Sequence, residues 1–82
     1  MTEYERSLIK QADSCVDMIR QIKKSRRIMA RFLRENLDFI NDKYVKDKVN
    51  RKYVSDLPTE RLCHSVIQVV RRMENNKEED EI

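Results

Sequence analysis

Apolar residues recur at Leu8, Ala12, Cys15, Ile19 and Ile22, and again at Met29, Leu33 and Ile40, in steps that alternate between four and three. That spacing keeps one face of an α-helix apolar and predicts a single continuous rod over residues 3–40. In a heptad frame Leu8, Cys15, Ile22 and Met29 take one core position, and Ala12, Ile19, Leu33 and Ile40 the other. Arg26 falls on this seam between Ile19 and Leu33. A polar residue there can set the register of a coiled coil. The simpler expectation is that its stem turns outward and leaves the charge in water, with Ser25 sharing the site. Thr2-Glu3-Tyr4-Glu5 has the form of a capping box, in which a hydroxyl and a carboxylate three residues on satisfy free backbone N–H groups, so the helix should start here.

The chain has no glycine and one proline, Pro58, and so lacks the punctuation that hairpins need. Asn41-Asp42 supplies a break or a new cap, which places the first boundary near residue 41. Val45, Val49 and Tyr53 then lie four apart and predict a short second helix, although the Tyr and Val content of this stretch would also suit a strand. The run from Ser55 to Glu60 reads as a helix entry, with Pro58 at the first helical position and Asp56 able to accept from free N–H groups. A third helix should bury Leu62, Val66, Val69, Val70 and Met73 and stop at Asn75-Asn76. The expected fold is all-α: a long N-terminal helix packed against a short connecting helix and a C-terminal return helix, as a coiled-coil-like hairpin or three-helix bundle. Residues 1–76 should form a single helical domain, and residues 77–82 an acidic flexible tail. A long helix of roughly 35–40 residues outruns a third helix of roughly 17, so part of the apolar stripe is left for a second copy of the chain or for a foreign helix.

A chain of 82 residues makes one domain whose folding buries only roughly 60–65% of its unfolded surface, and cores of this size commonly recruit another subunit. Cys15 and Cys63 are far apart, and no signal peptide precedes them. Both are expected to be thiols in a soluble, intracellular protein of a reducing compartment, cytoplasmic or nuclear. No apolar run approaches the ~18 residues of a membrane span. Charge is uneven along the chain: residues 18–34 hold seven basic residues and no acidic one, and residues 74–82 hold five acidic residues and one lysine.

Arg20, Lys23, Lys24, Arg27, Arg31 and Arg34 fall within a helical sector of about 100°, away from the apolar stripe, and form a basic ridge about 21 Å long. The plain expectation is a solvated face. The functional one is contact with an anionic partner, nucleic-acid phosphates included, without base readout, because no aromatic is interleaved and no zinc-finger spacing occurs. Ile28, Phe32 and Phe39 occupy another sector, nearly opposite the stripe. Either helices two and three cover them or they anchor a protein partner.

His64 beside Cys63, with Cys15 as the one other soft ligand, gives no ligand pair at a metal-binding spacing, and adjacent helical residues point too far apart to act as a nucleophile and base. The absence of glycine removes nucleotide-binding loops, and Asp13/Asp17 and Glu78/Glu79 read as solvated acids. No cofactor is implied. The expectation is a non-enzymatic helical interaction module, a regulatory or assembly factor that binds a partner protein through its long amphipathic helix. A nonspecific nucleic-acid binder using the ridge is the alternative, and a small all-helical enzyme comes third.

Overall fold

A computed structural model describes the backbone of residues 1–80 and the side chains of residues 1–76. Three helices form it: α1 (Glu3–Glu35), α2 (Lys43–Asn50) and α3 (Thr59–Asp80). Single 3-10 turns at Leu37–Phe39 and Val54–Asp56 join them. Thr2 starts α1 as expected, its hydroxyl accepting from the Glu5 N–H at 3.1 Å. The long helix ends five residues earlier than its apolar stripe implies. Asn36 leaves helical backbone, with φ −132°, and its side-chain amide donates to the Phe32 carbonyl at 2.9 Å, which offers the chain an alternative to another helical turn. Ile40 is buried all the same, but as part of the connector.

Asp42 caps α2, accepting from the N–H groups of Tyr44 and Val45. Val45 and Val49 are fully buried, whereas Tyr53 lies past the helix end and is exposed. There the chain closes with the N–H of Tyr53 donating to Lys48 O at 2.8 Å and that of Lys52 to Val49 O at 3.3 Å. Glycine is the usual residue at the left-handed position of such a closure; here it is Lys52, with φ 66°.

The chain makes its return through α2 and its links. Thr59, at the start of α3, lies beside Arg26, Cys63 beside Met29, and Gln68 beside Phe39. Helix α3 therefore runs alongside the second half of α1 in the same sense. Leu33, Ile40, Val45, Val49, Leu57, Leu62 and Val69 make the core, with Val66 and Met73 packed against it. Val70 is exposed, while Ser65 is buried, a placement that apolar periodicity does not reveal. Asn75-Asn76 does not stop the helix, since asparagine inside a helix costs well under ~1 kcal/mol and nothing here opposes continuation. The backbone of residues 77–80, expected to begin a flexible acidic tail, continues α3, and residues 81–82 of that tail lie outside the described residues.

Arg26 does not turn outward. Its guanidinium donates to Thr59 Oγ1 at 2.8 Å and to the carbonyls of Val54 and Leu57 at 3.0 and 2.6 Å, tying the α2–α3 link to α1. The charge on the seam thus satisfies loop carbonyls of its own chain. At the other end Gln68 and Arg72 both donate to Phe39 O, and Gln68 also accepts from the Asn41 N–H. Pro58 sits just before α3, its carbonyl accepting from the Leu62 N–H, and Asp56 pairs with Lys48 at 3.3 Å instead of capping α3.

Asp42 also joins α2 to α3 through a two-pronged contact with Arg61, at 2.8 and 3.2 Å, and Arg61 lies over the Tyr44 ring. The Arg61 hydrogen bond, supported by the Val45 and Tyr44 N–H groups, holds the Asp42 carboxyl below its usual value against the opposing effect of partial burial. A depressed carboxylate pKa contributes stability that is complete at neutral pH and disappears as the pH falls through and below about 4. Asp42→Ala should cost about 1 kcal/mol at pH 7, chiefly through the lost cap, because the ion pair itself is half-exposed. Urea titrations should show the gap between the natural chain and the variant narrowing at pH 3.

Candidate interaction surface

Every residue from 1 to 25 is exposed, so the first two-thirds of α1 is an arm projecting about 35 Å from a head built by the rest of the chain. The arm accounts for the extended form: the radius of gyration is 18.0 Å, against about 12 Å for a compact chain of this length. Tyr4, Leu8, Ile9, Val16, Met18, Ile19 and Ile22 are all among the exposed large apolar residues. At 100° per residue they spread over about half of the helix circumference. Glu5 and Lys23 are the charges inside that sector, one near each end.

Such a helix is poorly supported on its own. Among the described residues no ion pair lies within the arm. The four-apart neighbours Arg6/Lys10, Asp13/Asp17 and Arg20/Lys24 carry like charges, which oppose helix formation by about 0.2–0.5 kcal/mol each and offset the opposite charges three apart at Glu3/Arg6, Lys10/Asp13 and Asp17/Arg20. Most helical stability in proteins comes from packing of an amphipathic face, which the described residues do not give the arm. Where the arm meets the head, Met18, Ile22, Ser25, Met29, Thr59 and Cys63 line an open, largely apolar cleft of about 320 Å³.

Ile28, Phe32 and Phe39 are not brought together as one exposed face. Phe32 and Phe39 are partly buried against the core, and Ile28 is 61% exposed. All six ridge residues are exposed, and Arg31 pairs with Glu35 at 3.3 Å. The fold adds what the ridge pattern could not show: Lys52, in its left-handed turn, stands across from Lys23, Arg27 and Arg34, and together they line an open cleft of about 450 Å³ over Ala30. No local sequence signal marks Lys52 for this position. Arg26 carried a signal, its place on the seam, whose structural meaning needed the loop carbonyls.

Cys15 is exposed on the arm, and Cys63 is half-buried with its Sγ 3.8 Å from Met29 Sδ. His64 is exposed, 3.9 Å from Glu60. Among the described residues no three His, Cys, Asp or Glu side chains come together as a metal site, and no helix is long and apolar enough to cross a membrane. No protein-family model, curated protein or solved structure matches the chain.

Proposed function

We propose that the protein is a non-enzymatic interaction module, a regulatory or assembly factor of a reducing intracellular compartment, whose working surface is the apolar face of the α1 arm. One observation carries this: seven large apolar side chains on residues 4–22 stand in solvent on a helix that the described residues leave bare. Scattered exposed apolar residues are ordinary, but a contiguous stripe on one face is the form in which amphipathic helices present themselves to a groove or to another helix. Phe32 and Phe39 then support the head, and Ile28 remains a candidate contact at its surface. A photoreactive residue in place of Ile19 should yield adducts with the bound macromolecule in the native cell, while the same group in place of Asp17, on the opposite side of the helix, should yield few. Equal yields at the two positions would remove the arm from the function.

A second activity, binding of nucleic-acid phosphates, is favoured by the convergence of Lys52 on Lys23, Arg27 and Arg34. Contact with about four phosphates of duplex should give a slope of about −3.6 in log K against log salt. Lys52→Glu should then flatten the slope by about one. Absence of retention on DNA and RNA at low ionic strength would retire this activity.

A further inference from the structure

We infer that the arm's occupant is the arm of a second copy, docked antiparallel; this rests on the arm being the interaction surface. Two placements of charge select this partner and this direction. Residues 3–13 of the arm carry Glu3, Glu5 and Asp13 against Arg6 and Lys10, whereas residues 14–24 carry Arg20, Lys23 and Lys24 against Asp17. An antiparallel neighbour sets the acidic half of each helix beside the basic half of the other. Within the apolar sector the selection is sharper. Glu5 and Lys23 lie on the same flank of the stripe, at opposite ends, and neither has an ion-pair partner among the described residues.

With Leu8 of one copy facing Ile19 of the other, and Ala12 facing Cys15, the two-fold axis passes between residues 13 and 14, and Glu5 of each copy falls within about one residue's rise of Lys23 of the other. Two identical ion pairs then close the ends of the seam. In a parallel, in-register pair Glu5 would face its own counterpart across the seam, and like charges there repel. The small residues at the centre, Ala12 and Cys15, allow close approach of the two helices.

The head offers a second fit. In this register Tyr4 of one copy lies level with Ile22 to Ser25 of the other, at the mouth of the apolar cleft bounded by Met18, Met29, Thr59 and Cys63. The cleft lies on the flank of the stripe that carries Tyr4 and Met18, opposite the Glu5–Lys23 flank. Overlap of about 20 residues, or ~30 Å, buries on the order of 1,000 Å² in all, at the lower edge of stable interfaces. Reversible association in the micromolar range is therefore expected.

Sedimentation equilibrium from micromolar to millimolar protein tests this. The 10.0 kDa chain should approach twice its mass as concentration rises. Glu5→Lys and Lys23→Glu should each weaken association about tenfold, and the double exchange should restore it, with head unfolding, read at dilutions where the chain is monomeric, unchanged in all three. A chain that stays monomeric throughout overturns the inference; if the Ile19 photoprobe still captures a foreign protein, the arm keeps its role and only the second copy is lost. A dimer indifferent to the charge reversals, or one not restored by the exchange, overturns the antiparallel register.

Discussion

Leu33→Ala should destabilise the head by about 3 kcal/mol, enough to leave much of the population unfolded at 37 °C. Ile19→Ala, at the same heptad position two repeats earlier, should change the unfolding of the monomer by less than about 0.5 kcal/mol. Leu33 is 0% exposed and central to the core, and a head of this size holds only ~3–5 kcal/mol in reserve. Ile19 is 52% exposed and lies outside the core cluster. Chemical denaturation at dilutions where the chain is monomeric separates the two. Comparable losses would mean that arm and head unfold as one cooperative unit.

Arg26→Ala should cost about 2–3 kcal/mol. The guanidinium serves three acceptors, two of them backbone carbonyls of the α2–α3 link, and hydrogen bonds from a charged donor are worth about 1.5–3 kcal/mol apiece but are far from additive. Water can reach part of the site once the side chain is gone, which keeps the loss below the sum. Arg26→Met retains most of the stem and should recover less than half of the stability, separating packing from hydrogen bonding. Limited proteolysis should at the same time open the chain between residues 51 and 58. A stability change under about 0.5 kcal/mol would show that solvent replaces the guanidinium without penalty.

The all-helical class, the order of the three helices and the caps at Thr2 and Asp42 were legible because each has a local cause: a 4–3 apolar rhythm, a side-chain acceptor before a helix, and no glycine to make hairpins. The excess length of α1 was legible too. What the rhythm could not say is which part of the stripe is covered, since Ile19 and Leu33 carry the same pattern. That depends on how far α2 brings the chain back. Eight residues of helix and two short links return it only to the level of Arg26, where α3 starts and runs away from the arm.

The candidate site divides the same way. The ridge is a property of one helix and was visible in order, whereas the Lys52 wall of the cleft and the apolar recess beside Ile22 arise between segments distant in sequence. Phe32 and Phe39 show the converse: both serve the core, Phe32 beside Val70 and Met73 of α3, and Phe39 from the 3-10 turn that follows the end of α1.

Helix α1 passes from arm to head as one unbroken element, and the residue at the crossing is the one that grips the α2–α3 link. A partner that clasped the arm would therefore also steady the turn that carries Arg26, and so tighten a loop it never touches. Linkage makes the effect mutual: loosening Val54 to Thr59 should lower the arm's affinity by the same factor by which occupancy of the arm firms up the loop. One uninterrupted backbone would thus let docking at one end of the molecule be felt at the other.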